Sequence, residues 1–179
     1  MKVFLISGKA QHGKDTLAGM LKEELDKINK KCLIVHYADL LKYLAKQYFD
    51  WDGKKDEKGR LILQKLGTDV VRKRDPDFWV DFAIRFNWLL DFMGYEYIII
   101  PDTRFPNEIE KMQHVFNCST IRINRPNFDN GLTAKQKAHA SETALDNYIF
   151  LYSVSNDKDF EKLHQAAVSI LTLEGILPA

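Results

Sequence analysis

The chain has 179 residues, of which 45% are hydrophobic, and its formal net charge is +1 at pH 7. This length fits a single domain, residues 1–179, that can bury a sizeable core. The nearly neutral charge provides no global field for a nucleic acid polymer or a membrane surface, so we expect neither partner. Cys32 and Cys118 lie far apart beside apolar runs, which predicts buried thiols rather than a disulfide or a zinc site.

The first predicted elements are a strand, a glycine-bounded loop and a helix. The apolar run Val3–Ile6 predicts a buried strand, and Leu17, Leu21 and Leu25 have helical spacing. Between them, Gly8–Thr16 contains the pattern G-x-x-x-x-G-K. The glycines let backbone amides converge on an anion, and the helix N-terminus adds partial positive charge. This context predicts a loop that binds nucleotide phosphates; the alternative is a chance glycine–lysine turn.

The residues after the second glycine have distinct expected roles. Lys14 supplies a positive charge for the outer phosphates of a nucleotide. Asp15 stands where such loops usually have a Ser or Thr that binds Mg²⁺. A carboxylate can also hold this ion, because Mg²⁺ prefers hard oxygen ligands. Thr16 could bond an inner phosphate.

A second buried strand, Cys32–Val35, completes a β-α-β unit and predicts a parallel sheet. Ligands of such sheets gather at the carboxyl ends of the strands, where Asp39 lies. Asp39 could help hold Mg²⁺ or orient an attacking oxygen, and it could equally cap a helix over Leu40–Phe49. Residues 50–59 are polar and predict a mobile loop, whereas Arg60–Val71 returns to helical spacing.

Three consecutive cations, Arg72–Arg74, precede a further predicted helix. Such a cluster is usually solvated surface, but beside a phosphate site it is a candidate for a second phosphate. Asp75 is the expected cap of the next helix and Pro76 its first residue. That helix extends to Met93 with an aromatic core face, and we expect Asn87 on its surface.

The continuous apolar run Tyr97–Ile100 is the best candidate in the chain for a central strand, one that is covered on both faces. Asp102 follows at its carboxyl end, where a carboxylate that directs a metal is expected. Arg104 lies two residues further on and could reach a bound substrate. The alternative is that Asp102 caps a turn and Arg104 pairs with Glu108.

The remaining chain predicts two more strands, Thr120–Ile123 and Phe150–Val154, and a last helix. Between the strands, the polar residues 125–140 read as a lid that closes over a nucleotide, or as an ordinary surface loop. Ser141 is the expected cap of a short helix that follows. Asn156 comes directly after the last strand, where a nucleotide base could lie.

Three motifs together resemble the bacteriophage-type deoxynucleoside monophosphate kinases, within the P-loop nucleoside monophosphate kinase group. Gly8–Thr16 is similar to that family's G-K-x-x-x-G-K-D-T loop, residues 102–108 to its D-x-R-F-x-N-E segment, and residues 139–142 to its H-x-S-E segment. Pro101, before the aspartate, and a lid with no arginine beyond Arg125 depart from that pattern.

The predicted fold is an α/β P-loop three-layer fold. It has a mostly parallel five-stranded sheet with helices on both faces, a small lid at about 125–140 and a substrate-binding helical region at about 38–93. The resemblance implies transfer of the terminal phosphoryl group of ATP to a (deoxy)nucleoside monophosphate, with ATP and Mg²⁺ as cofactors. We expect this activity in the cytoplasm, or in the host cytoplasm if the chain is phage-encoded.

The motifs and the resemblance together assign site residues in four groups. The catalytic group is Lys14, Asp39 and Arg104. The group that binds ATP is Gly8, Lys9, Gly13, Lys14, Asp15, Thr16, Arg125 and Asn156. The group that binds the acceptor is Asp39, Gln64, Arg72, Asp102, Arg104, Asn107 and Glu142. The expected ligands of Mg²⁺ are Asp15 and Asp102.

Two alternative functions keep the same fold. A P-loop kinase could act on a non-nucleotide acceptor, such as dephospho-coenzyme A or phosphomevalonate. A nucleotide-dependent switch could hydrolyse GTP slowly, but the guanine-recognising pattern N-K-x-D is absent, since residues 156–159 read Asn-Asp-Lys-Asp. A homodimer is a further partner that the sequence leaves open.

Overall fold

The computed structural model describes residues 1–54, 56–157 and 159–178. These residues form a sheet with strands β1 (Lys2–Ser7), β2 (Cys32–Ile34), β3 (Tyr97–Thr103), β4 (Asn117–Asn124) and β5 (Tyr152–Ser155). Every pairing is parallel, and the strand order is β2-β3-β1-β4-β5. The phosphate-binding pattern therefore follows the central strand, β1.

The described helices are α1 (Lys14–Lys27), α2 (Ala38–Tyr48), α3 (Glu57–Gln64), α4 (Phe78–Phe92), α5 (Pro106–Val115), α6 (Ala134–Lys137), α7 (Ala140–Thr143) and α8 (Phe160–Leu173). Lys65–Arg72 continues α3 directly as a π-helix, which we call the π segment. Among the described helices, none combines the length and the hydrophobicity needed to cross a membrane.

Alternate side chains of β1 point to opposite faces of the sheet, and each face is covered by helices. Phe4 and Ile6 belong to a core that includes buried residues of α1 and α8. Val3 and Leu5 belong to a second core with buried residues of α4 and α5. The predicted three-layer α/β fold, a parallel sheet between two helical layers, is thus confirmed.

Two predicted helix starts are wrong, because a neighbouring side chain or turn sets each start at a different residue. Pro76 is not in the first turn of a helix: α4 begins at Phe78, and Asp75 Oδ1 accepts a hydrogen bond from the amide two residues later at 3.1 Å. Ser141 is not a cap either. His139 precedes α7, and its Nδ1 accepts from the Ser141 amide at 3.2 Å.

The segment 50–59 is shorter as a loop than predicted, because α3 already begins at Glu57. Trp51 is only 7% exposed, and its indole Nε1 donates to the Lys54 carbonyl at 2.8 Å. Lys55, which falls in the same prediction, lies outside the described residues.

Asn87 is completely buried, so its predicted place on the surface is wrong. Its Nδ2 lies 3.6 Å from Met112 Sδ, a residue of α5. The packing of α4 against α5 therefore buries Asn87, although an asparagine is usually found at the surface.

Candidate active site

The carboxyl ends of β1, β2 and β3 open into one cleft of about 470 Å³. Its walls come from the loop after β1, from α2 and the π segment, from the β3–α5 connection and from residues 132–142. This is the position that a parallel α/β sheet favours for a ligand.

The loop after β1, which we call the phosphate loop (Gly8–Gly13), fits its surroundings only with glycine at both ends. A Cβ atom on Gly8 would lie 2.5 Å from the Ile123 carbonyl oxygen. Gly13 has φ +98°, and a Cβ there would lie 2.4 Å from Asn156 Nδ2. That amide group donates to the His12 carbonyl at 2.9 Å. Asn156, predicted near a base, thus holds the backbone of the phosphate loop at His12.

Lys14 lies at the start of α1 and is 7% exposed. Its ammonium group donates to the carbonyls of Gly8 and Lys9, both at 2.8 Å, and so is held across the mouth of the phosphate loop. Burial, followed by the nearby Arg104 guanidinium, lowers the pKa of Lys14 to about 8. The positive charge that would contact a nucleotide therefore lies where burial disfavours the protonated form of the amine.

Lys9, predicted to bind ATP, contacts the α7 side of the cleft. Its Nζ lies 2.7 Å from Asp146 Oδ2 and donates to the Glu142 carbonyl at 2.5 Å. Arg122 NH2 also donates to Asp146, at 3.1 Å. Through these contacts Lys9 connects the phosphate loop to α7.

Next to Lys14, the imidazole of His36 lies between the carboxylates of Asp15 and Asp39. His36 Nε2 lies 3.0 Å from Asp15 Oδ1, and its Nδ1 lies 3.5 Å from Asp39 Oδ2. These two hydrogen-bonding carboxylates, Asp15 first, raise the pKa of His36 to about 9. Burial alone would raise the pKa of Asp39, but His36 and Lys42 hold it well below its usual value. Thr16 lies one residue beyond Asp15 and is exposed.

Sequence reasoning missed His36 as a site residue. The signal was present, because His36 lies just after β2 at the carboxyl edge of the sheet, three residues before Asp39. Asp39 also accepts a hydrogen bond from the His36 amide at 2.9 Å. The predicted capping role of Asp39 is wrong, because α2 already begins at Ala38 with Tyr37 at its N-cap position and Asp39 lies inside the first turn.

Asp102 caps the start of α2. Its Oδ1 accepts from the Tyr37 amide at 2.9 Å, and its Oδ2 from the Ala38 amide at 3.0 Å. The described residues contain no group of three or more His, Cys, Asp or Glu side chains that could hold a metal ion. Mg²⁺ does not require one, since it is commonly bound through one or two carboxylates and phosphate oxygens.

Arg104 pairs with Glu142 at the far side of the phosphate loop. Glu142 Oε2 accepts from the Ala10 amide at 3.0 Å, and Arg104 NH1 also donates to the Ser141 carbonyl at 2.9 Å. The alternative pairing of the Arg104 side chain with Glu108 is wrong, because only the Arg104 amide donates to that residue, at 2.7 Å. Glu142 therefore joins a loop amide to a guanidinium.

Arg72, at the end of the π segment, lies over the Phe105 ring at 3.9 Å. Its NH2 donates to Glu108 Oε1 at 2.6 Å, and its NH1 lies 3.5 Å from Asn107 Oδ1. Asn107 Nδ2 in turn donates to Asp77 Oδ1 at 2.8 Å, beside the start of α4. Of these two predicted acceptor residues, Arg72 lines the cleft, whereas Asn107 contacts Arg72 without lining the cleft itself.

The π segment shapes the apolar end of the cleft. Its Gly67 carbonyl accepts from the buried indole Nε1 of Trp79 at 2.9 Å. Gln64, the last residue of α3, lines the same region together with Leu41 and Leu63. Because π-helical stretches are rare and often mark functional sites, this segment is a candidate contact surface for a base.

The predicted lid segment, residues 125–140, packs on the phosphate loop. The Arg125 guanidinium lies 3.8 Å from the centre of the Phe128 ring, and its NH1 donates to the Gln11 carbonyl at 3.3 Å. Gln11 Nε2 donates to the Asn130 carbonyl at 3.2 Å. Within this segment, α6 is a short helix.

The family model for deoxynucleotide monophosphate kinases matches residues 51–167. The chain belongs to the deoxynucleotide monophosphate kinase family. The match covers Arg72, Arg104, Asn107 and Glu142, whereas the phosphate loop precedes it.

Two viral proteins are similar to part of this chain, and the name of one of them is that of the family. The deoxynucleotide monophosphate kinase of Enterobacteria phage T4 is 30% identical over 110 residues, covering 58% of this chain and 41% of that protein. An uncharacterised protein of Ictalurid herpesvirus 1 is 35% identical over 98 residues, covering 55% of this chain and 41% of that protein. The matched region is thus less than half the length of either relative.

Two solved structures have the same fold as this member of the deoxynucleotide monophosphate kinase family. The Mycobacterium tuberculosis APS kinase in complex with AMPPNP and APS has a TM-score of 0.58 at 12% identity, over 96% of this chain and 97% of that chain. Shikimate kinase from Aquifex aeolicus has a TM-score of 0.52 at 16% identity, over 98% and 97%. These kinases share the architecture described above.

Proposed function

We propose that this protein transfers the terminal phosphoryl group of ATP to a (deoxy)nucleoside monophosphate and so forms the diphosphate. The observation that carries this proposal is that Lys14, Arg72 and Arg104 come from three different elements and line one cleft. Phosphoryl transfer requires positioning and neutralisation of charge more than covalent chemistry. Three cations around one cleft meet that requirement, and membership of the family supports the same reaction.

On the ATP side, the amides of the phosphate loop and Lys14 would hold the phosphates. Asp15 and Asp102 are the proposed ligands of Mg²⁺, which would supply positive charge to the phosphate oxygens. Asp15 is the better placed, since its side chain is 79% exposed whereas both oxygens of Asp102 accept backbone amides. Arg125 and Asn156, which contact the phosphate loop, remain proposed contacts for ATP.

On the acceptor side, the two arginines would bind the phosphate of the monophosphate and the group in transfer. Asp39, at the edge of the cleft, would orient substrate oxygens. Gln64 and the π segment would contact the base, and Asn107 and Glu142 would hold the arginines in place. The acceptor phosphate is already an anion, so the reaction needs no strong general base.

The test is a substrate panel with purified protein, ATP and Mg²⁺. We expect a diphosphate product from at least one of dAMP, dCMP, dGMP, dTMP and their ribose counterparts, measured by chromatography. Lys14→Met should abolish it without unfolding the protein. Turnover of only dephospho-coenzyme A or phosphomevalonate would instead support the non-nucleotide alternative, and GTP hydrolysis without an acceptor would support a switch.

The other expected properties stay predictions. These are a single domain, a closing lid, a cytoplasmic location, the lack of a nucleic acid or membrane partner, and the homodimer. Chromatography with light scattering at several protein concentrations would decide the oligomeric state.

A further inference from the structure

Glu108 is a buried carboxylate that connects the two arginines of the acceptor side. It lies in the first turn of α5 and is only 2% exposed. Its Oε1 accepts from Arg72 NH2 at 2.6 Å, and its Oε2 accepts from the amides of Arg104 at 2.7 Å and Phe105 at 3.0 Å. One side chain thus contacts the π segment and the β3–α5 connection.

Capping of α5 explains only half of these contacts. A glutamate at the third helical position can return a hydrogen bond to the backbone at the helix start, and Oε2 of Glu108 does this. Oε1 is directed away from that backbone and contacts the Arg72 guanidinium. A capping role alone would not require a fully buried carboxylate, whose desolvation is costly unless it is paired.

Three contacts, one of them with Glu108, restrain the Arg72 guanidinium. The guanidinium lies over Phe105, while Glu108 holds one of its nitrogens and the Pro76 carbonyl accepts from another at 3.2 Å. The arginine side chain is only 13% exposed although it lines the cleft. Ordering a long side chain before the ligand arrives reduces the entropy that binding must overcome.

We infer that Glu108 is a positioning residue, which orients Arg72 and the backbone of Arg104 toward the phosphate of the acceptor monophosphate. This inference rests on the proposed function. It predicts that loss of the Glu108 carboxylate weakens use of the acceptor and leaves use of ATP nearly unchanged, because the phosphate loop does not contact Glu108 in the hydrogen bonds described above.

The experiment compares Glu108→Gln, Arg72→Lys and the double variant with wild type. The acceptor is whichever of dAMP, dCMP, dGMP and dTMP the wild type converts fastest. We expect the KM for the monophosphate to rise at least tenfold in each single variant, and the KM for ATP to stay within twofold. The double variant should be no worse than the more severe single one, since both remove the same contact. Glu110→Gln, an exposed glutamate of α5, is the matched control and should change neither KM.

A purely structural role gives a different result. It would lower the melting temperature and the active fraction, and thus kcat, with an unchanged KM for the monophosphate; this result would overturn the inference. If Glu108→Gln does not fold, Glu108→Asp decides the question, because it keeps a buried carboxylate but shortens its reach to Arg72. An unchanged monophosphate KM in Glu108→Asp would equally overturn the inference.

Calorimetric titration of the same monophosphates separates the two proposals. Absence of turnover by wild type would overturn the proposed function. Equal affinity of wild type and Glu108→Gln for the monophosphate would overturn the role of Glu108. A wild type that binds none of the four monophosphates would overturn both.

Discussion

Replacement of Lys14 by Met should stabilise the unliganded protein at neutral pH while removing ATP binding. Lys14 is 7% exposed, and its ammonium group donates to two carbonyl groups. A methionine keeps most of the apolar stem but carries no charge to desolvate. The residue that would bind the nucleotide is thus expected to reduce the stability of the empty fold.

The magnitude follows from the pKa of Lys14, which burial and then Arg104 lower from 10.5 to about 8. At about 1.4 kcal/mol for each pKa unit, the charged form is destabilised by about 3 kcal/mol in the folded state. Loss of two hydrogen bonds to carbonyls offsets about 2 kcal/mol of the gain. At pH 7 we therefore expect Lys14→Met to be more stable than wild type by about 1 kcal/mol.

The pH dependence is the sharper test. Between about pH 8 and 10.5 the unfolded chain still holds the Lys14 proton while the folded protein has lost it. The free energy of unfolding of wild type therefore rises with pH in this window relative to the variant. From pH 7 to pH 9.5 the difference should change by about 2 kcal/mol in favour of wild type.

Urea denaturation at both pH values, in the absence of nucleotide, measures this change. Lys46→Met, at an exposed position of α2, is the control and should show no such pH-dependent difference. A stability difference between wild type and Lys14→Met that is the same at pH 7 and pH 9.5 would refute the reasoning. Retention of ATP binding by the variant would refute the assignment of the loop.

Three further substitutions test the site. Gly13→Ala, at φ +98°, should lower the free energy of unfolding by about 1–3 kcal/mol and weaken ATP binding in calorimetry, whereas Gly19→Ala in α1, with open space around a new Cβ, should be neutral or stabilising. Arg104→Ala leaves the Glu142 carboxylate without its guanidinium and should lower kcat/KM for the monophosphate about 100-fold, or about 3 kcal/mol; unchanged kinetics would make Arg104 a structural residue. Asp15→Ala should raise the Mg²⁺ concentration for half-maximal activity about tenfold, and an unaltered requirement would exclude it as a ligand.

The sequence by itself determined the features that depend on neighbouring residues. The apolar run of β1, the two glycines and Lys14 are contiguous, so their spacing alone predicts a strand, a phosphate loop and a helix. The buried run of β3 likewise predicts a central strand, because a strand covered on both faces is apolar at every position. These local signals were sufficient for the fold class and for the position of the glycine-bounded loop between β1 and α1.

The partners of the charged side chains were decided only by the tertiary structure. Arg104 and Glu142 are 38 residues apart, and Arg72 and Glu108 are 36 apart. From the sequence alone, either Arg72 or Arg104 could pair with Glu108, because both arginines carry the opposite charge. The strand order places β3 beside both β1 and β2, and helix packing then sets which charges approach within hydrogen-bonding distance. Such pairings depend on distances of a few ångströms between elements far apart in the chain, which no local pattern encodes.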